Sequence, residues 1–195
     1  NLKQNSSQAW LNSHVVDATQ TNIKLSEFAH MYCVGGIDLS QTTDLTSACI
    51  VIEKKGVLYS FSHFWMPAEK IEEATARDGV PYNLYVQPGI LTPSGDNFVD
   101  YHDCFNWFAM MVKEYEILPL VVGYDRYSAQ YLVQDMQAFG FQMDDVYQGF
   151  NLSPVIKEAE GLMKDGKLKC AENSLLKMHL LDTALKHDTE SNKCR

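Results

Sequence analysis

The stretch that most constrains this chain is MYCVGGIDLS, residues 31–40. An apolar run reaches two adjacent glycines, Gly35 and Gly36, and ends on a carboxylate, Asp38. The segment that follows, LTSACIVIEKKGVLYSFSHFWMP over residues 45–67, is rich in β-branched and aromatic side chains. Such side chains fit a pleated, half-buried surface. Its one interruption, Lys54-Lys55-Gly56, has the composition of a hairpin turn. Three strands joined by short turns are therefore expected, as an antiparallel meander that Pro67 closes.

Beyond Pro67 the pattern changes. AEKIEEATARDG reads as a charged helix stopped by Gly79. Residues 80–100 carry Pro81, Pro88 and Pro93 with Gly89 and Gly95, and read as a loop region. In residues 100–117, Phe105, Phe108, Ala109, Val112 and Tyr115 recur at helical spacing. Leu120 to Gly123 reads as a short buried strand with Asp125 just past its end. Ala129, Leu132, Val133, Met136 and Phe139 mark a further helix that Gly140 stops. DDVYQGF, residues 144–150, suggests a short strand. Ser153 as N-cap, Pro154 at the first helical position and Gly166 as a stop frame another helix. Asn173 is expected to cap a helix over Ser174 to Leu181, with a last strand in residues 183–188. The expected fold class is α/β: a mixed sheet, the meander plus parallel strands, with helices on both faces.

Residues 1–30 are polar and mixed, with isolated anchors at Trp10, Leu11, Val15 and Phe28. They read as an arm or linker with a short helix, ahead of a domain over 31–195. The chain does not open on Met, so this arm is expected to come from inside a longer protein. No internal repeat is present. At 46% hydrophobic residues a sizeable core is affordable to one domain of 195 residues. No run of apolar residues is long enough to span a membrane, and no signal peptide opens the chain. The five cysteines, Cys33, Cys49, Cys104, Cys170 and Cys194, lack C-x-x-C spacing and are odd in number. That argues against a zinc knuckle or a disulfide scaffold and fits a reducing cytoplasm. The net charge of −9 argues against a broad basic surface that grips nucleic acid. It does not exclude a nuclease whose metal centre itself needs acids.

Asp38 and Asp125 each follow an apolar strand, and sites in open α/β sheets form at the carboxyl ends of strands. If those strands are parallel neighbours, the two carboxylates meet and raise each other's pKa. A divalent cation relieves that repulsion. Oxygen-only ligation suits Mg²⁺ or Mn²⁺, and two such ions about 4 Å apart clamp an in-line phosphoryl displacement. Taken singly, an aspartate after a strand is also a common turn former or helix cap. His63, His102 and His179 are scattered and read as structural or surface residues.

Three blocks carry a resemblance: GGIDLSQTTDLTSACIVI, VVGYDRYSAQYLVQDMQAFGF and QGFNLSPVIKEAEGLMKDGKLKCAENSLLK. In order, spacing and residue type they resemble the C-terminal nuclease domain of large terminase subunits of tailed bacteriophages, over roughly residues 1–195. The leading arm resembles the segment that joins an ATPase domain. The resemblance implies a ribonuclease-H-like fold and cleavage of concatemeric double-stranded DNA with two divalent ions, Mg²⁺ or Mn²⁺, in the cytoplasm of a bacterial host. It implies the ATPase domain of the same polypeptide as a partner, along with the small terminase subunit and the portal. Asp38 matches the family's acid that bridges both ions, and Asp125 the one that holds a single ion. The family has a third acid in a segment resembling IDG before an apolar helix. Neither Asp182 nor Asp188 matches it, and the third ligand is expected beyond Arg195. Asp44 either supports the metal site from behind or braces the turn. Arg126 either steadies a carboxylate or reaches a phosphate, or forms an exposed ion pair. Tyr127, Gln148 and Gly149 fall in the matching blocks without a readable role. Two other functions fit parts of the sequence. GIDLSQTT is similar to the first phosphate loop of actin-like and sugar-kinase-like proteins, although Ser40 and Gln41 stand where those loops need glycine. The acidic charge also suits a non-catalytic docking domain. No G-x-x-x-x-G-K-[ST] occurs, so this chain carries no such ATPase motif.

Overall fold

The computed structural model describes residues 9–40, 45–125 and 130–185. The chain enters through α1 (Ser13–Thr19) and a two-residue strand, β1 (Gln20–Thr21). The expected meander follows as β2 (Tyr32–Asp38), β3 (Thr46–Lys54) and β4 (Val57–Met66). Antiparallel pairing runs from Asp38 opposite Ser47 back to Val34 opposite Val51, and from Lys54 opposite Val57 to Thr46 opposite Trp65. The β3–β4 turn is a two-residue one in which Lys55 and Gly56 both have positive φ, 57° and 76°. That backbone matches the twist of the flanking strands.

The chain then alternates helix and strand: α2 (Ile71–Asp78), α3 (Asn83–Val86), β5 (Leu91–Pro93), α4 (Tyr101–Lys113), β6 (Leu118–Tyr124), α5 (Gln130–Phe139), β7 (Met143–Asp145), α6 (Ser153–Lys164), β8 (Leu168–Ala171) and α7 (Ser174–Asp182). The strand order is β1-β8-β4-β3-β2-β6-β7, with β5 on β4 beside β8. Only the pairs made by β3 are antiparallel. One irregularity interrupts the β2–β6 ladder. Tyr32 and Cys33 stand opposite Leu118 and Pro119, but Val34 stands opposite Val121, so Leu120 is an extra residue on β6.

Alternation along β4 shows that both faces are covered there. Phe61 and Trp65 join the cluster that holds Phe108 of α4 and Leu132 and Met136 of α5. Phe64 and Met66 join Ala74 of α2, Tyr82 and Leu175 of α7. A third cluster brings Leu11 and Val16 onto Met163 of α6 and Leu168 of β8.

The elements depart from the sequence expectations in several places. Residues 80–100 are not all loop: α3 and β5 lie within them, and β5 extends the sheet despite ending on Pro93, because that residue closes an edge strand. α4 buries the expected Phe108 and Ala109 and also Cys104 and Met111, with Phe105 and Val112 flanking them, while Tyr115 packs on the core from beyond the helix end. β6 is buried only at Val122, while Leu118 and Leu120 are exposed, because α4 covers one face of the strand and the other is open at this end. β7 begins at Met143, earlier than expected. Ser153 is the first residue of α6 and Leu152 its cap, one residue off the expected frame. β8 was not anticipated, since LKCA is short and follows directly on a helix stop. Of the expected last strand, only an isolated bridge of Ala184 to Ala9 is formed, and 186–188 lie outside the described residues, as does Ala129. The described part of the leading arm is built into the domain: Leu11, Val16 and Phe28 are core residues, and β1 pairs with β8.

Gly35 is where the sheet and α4 meet most closely. A Cβ there would lie 2.7 Å from Phe108 Cε1 and 3.0 Å from Val122 Cγ2. Phe108 is fully buried and cannot step aside. Gly35→Ala should therefore destabilise the fold by about 1–3 kcal/mol, measured by urea denaturation. Combining it with Phe108→Leu should cost less than the sum of the two single changes.

Candidate metal centre

The parallel pairing of β2 with β6 brings the two candidate carboxylates to one end of the sheet. Gly36 stands opposite Gly123 and Ile37 opposite Tyr124, so Asp38 and Asp125 leave adjacent strand ends. They line one cavity of about 330 Å³, open to solvent. Its floor is Gly36, Gly123 and Cys49, and Ser47, Val146 and Gln148 complete its wall. The glycines keep the floor low: a Cβ on Gly36 would meet Cys49 Sγ at 3.5 Å, and one on Gly123 would meet Val146 Cγ2 at 3.1 Å.

Asp38 keeps solvent access at the mouth of the groove, while the protein around its carboxyl strips away part of its hydration. Its pKa is raised, first by that desolvation and then by the charge of Asp125, against a hydrogen bond from the Gln148 side chain that lowers it. The repulsion is the signature expected of two carboxylates sharing one site. The donor set suits a hard divalent cation: two carboxylates, with hydroxyl and amide oxygens beside them and a pocket open to water. Among the described residues, no cluster of three or more His, Cys, Asp or Glu side chains is placed to hold a metal.

Asp44 and Arg126 lie outside the described residues. None of His63, His102 and His179 lines the cavity. His63 Nε2 is instead 2.9 Å from Thr92 Oγ1, and burial lowers its pKa. Four cysteines are free thiols, and burial pushes Cys33 and Cys104 up to about 12 and Cys170 to about 11. Of the polar groups of the groove, sequence reasoning missed Ser47 and named Gln148 without a role. Ser47 became visible only through its register opposite Asp38. Gln148 could have been flagged by its place just past a strand parallel to β6.

A family model described as "Terminase large subunit, endonuclease domain" matches residues 1–194. The chain belongs to that family. The terminase large subunit of Enterobacteria phage HK97 is 28% identical over 162 residues, covering 81% of this chain and 32% of that protein. The chain thus spans about a third of the length of that curated relative. The crystal structure of the HK97 large terminase superposes with a TM-score of 0.81 at 25% identity, covering 95% of this chain and 38% of that one. The large terminase nuclease of thermophilic phage G20c with bound magnesium gives a TM-score of 0.59 at 10% identity, covering 98% of this chain and 89% of that one. These likenesses show the ribonuclease-H-like fold expected above. Membership of the terminase family sets aside the actin-like reading of GIDLSQTT. No helix among the described residues of this terminase domain is long and apolar enough to cross a membrane.

The sign of the Asp38 shift makes a stability prediction. A carboxyl group whose folded pKa is raised favours folding when protonated, and that contribution disappears as pH rises through the folded value. At pH 7 the ionised pair therefore weakens the metal-free protein. Asp38→Asn should raise the melting temperature in EDTA at pH 7, by no more than about 2 °C because the carboxylate is partly solvated. Mn²⁺ should raise the melting temperature of the wild type and leave that of Asp38→Asn nearly unchanged. Thermal denaturation with and without Mn²⁺ checks both.

Proposed function

We propose that this terminase domain is an endonuclease that cuts concatemeric double-stranded DNA during genome packaging, using Mg²⁺ or Mn²⁺ held by Asp38 and Asp125. The observation that carries the reading is the convergence of these two carboxylates at the ends of adjacent parallel strands, over a glycine floor and open to solvent. The G20c nuclease structures with bound magnesium and with bound cobalt support a divalent-cation centre on this fold. A pair of such ions supplies Lewis-acid stabilisation of the phosphoryl displacement and lowers the pKa of the attacking water. In this reading Asp38, nearer the centre of the sheet, would be shared by the two ions, and Asp125 would hold one. The glycine floor and the open mouth let a phosphodiester approach without displacing a side chain. No protein nucleophile is needed.

The grip on DNA comes from outside this acidic surface. With a net charge of −9, the chain lacks the excess of cations that phosphate neutralisation requires. The ATPase domain of the same polypeptide, the small terminase subunit and the portal are the partners this reading calls on, in the cytoplasm of the bacterial host. Asp44 and Arg126 are proposed as supporting residues of the same centre.

Plasmid cleavage in Mn²⁺ tests the reading. Asp38→Ala and Asp125→Ala should each lose more activity than the ~10–100-fold typical of outer-shell partners. Equal cutting by wild type and Asp38→Ala would remove Asp38 from the mechanism.

A further inference from the structure

Gln148 is a polar side chain of the groove that the two-carboxylate scheme leaves without a task. Gln148 follows β7, which runs parallel to β6 on its outer edge. Val146 N–H donates to Tyr124 O at 2.8 Å, which ties the chain to β6 one residue before Asp125. The segment beyond is tightly folded. Asn151 Nδ2 donates to Tyr147 O at 3.0 Å, and Leu152 N–H to Gly149 O at 3.0 Å. A Cβ on Gly149 would lie 2.8 Å from Tyr147 Cε1, so only glycine lets the Tyr147 ring lie against this turn. The outcome is that Gln148 lines the same groove as Asp38 and Asp125.

We propose that Gln148 is a positioning residue for Asp38, its side-chain amide fixing the orientation in which the carboxylate is presented to a divalent cation. The proposal rests on the metal-dependent reading above. Gln148 lines the groove beside Asp38 and lowers its pKa as a hydrogen-bonding neighbour. A carboxylate only accepts, so the Gln148 NH₂ donates. The choice of residue is informative. A lysine or arginine in this place would also hold the carboxylate, but its charge would compete with the cation. A neutral amide orients the ligand and leaves its charge available. Asp38 needs such a partner because it stands at the solvent-exposed end of its strand, where packing alone does not choose its rotamer.

The decisive experiment compares wild type with Gln148→Met, which keeps the length and removes the donor, and with Gln148→Ala. Mn²⁺ affinity is read by titration calorimetry, and plasmid cleavage is followed as a function of Mn²⁺. Both variants should bind Mn²⁺ about 10–100-fold more weakly. The Mn²⁺ needed for half-maximal cutting should rise by a similar factor, with most of the rate recovered at saturating Mn²⁺, and the metal-free melting temperature should stay that of wild type. A folding defect would not be repaired by metal. If Gln148→Met melts early, Gln148→Asn, which keeps the amide but shortens its reach, carries the same comparison. Unchanged Mn²⁺ affinity in the variants, with wild type binding normally, overturns the role of Gln148 alone, and so does a loss of cutting that Mn²⁺ does not restore. A wild-type protein that binds no Mn²⁺ overturns the metal-dependent reading and this inference with it.

Discussion

The contact between Gly35 and Phe108 governs the geometry of this molecule. Phe108 sits on the backbone of β2 where any side chain would stand, and Val122 of β6 closes the same gap. This draws α4 down onto the two central parallel strands. The neighbouring glycine, Gly36, points to the opposite face, where it pairs across to Gly123 and leaves the groove its depth. Two adjacent residues without side chains thus serve opposite faces: one lets the core close, and the other keeps the site open.

The groove is a place where the protein holds like charges together. Asp38 and Asp125 line it side by side, and the raised pKa of Asp38 records desolvation and repulsion together. Charged groups elsewhere find an ordinary answer. Lys54 Nζ, for example, donates to Glu27 O and lies over the Phe28 ring, and Lys177 pairs with Asp17. A perturbed carboxylate beside a second one in a cleft points to a functional site with a stated physical rationale. Membership of the terminase large-subunit endonuclease family gives that cleft its chemical setting.

Features encoded locally were legible from the chain. The hairpin at Lys55-Gly56, the Gly79 stop of α2 and the Asn173 cap, whose Oδ1 accepts from Leu176 N–H at 2.9 Å, each depend on a few neighbouring residues. Asp38 and Asp125 were legible because a carboxylate after an apolar strand is a local pattern. Their meeting required a parallel pairing that only the sheet supplies. β5 and β8 were hidden because they are short parallel segments along one edge of β4, held by long-range partners instead of by their own alternation. On α4, Phe108 and Ala109 were legible from their helical spacing, whereas the depth to which Phe108 sinks depends on the gap at Gly35. Gln148 was visible as a residue but not as a neighbour of Asp38, since the turn that brings it there depends on β7 docking on β6.

The extra residue at Leu120 has a consequence for how this fold can change. Before it, partners on β2 and β6 differ by 86 in number; after it, they differ by 87. Continued to the strand ends, the second offset sets Asp125 beside Asp38, whereas the first would set Tyr124 there. The bulge is therefore not a neutral irregularity near the open end of the strand. A straight ladder that kept Leu120 would set an aromatic in place of a carboxylate at the centre without altering either residue, whereas deleting Leu120 would leave Asp125 in register. Length carries chemical information in this strand, and insertions or deletions should be accepted in the connecting loops long before they are accepted between Val121 and Tyr124.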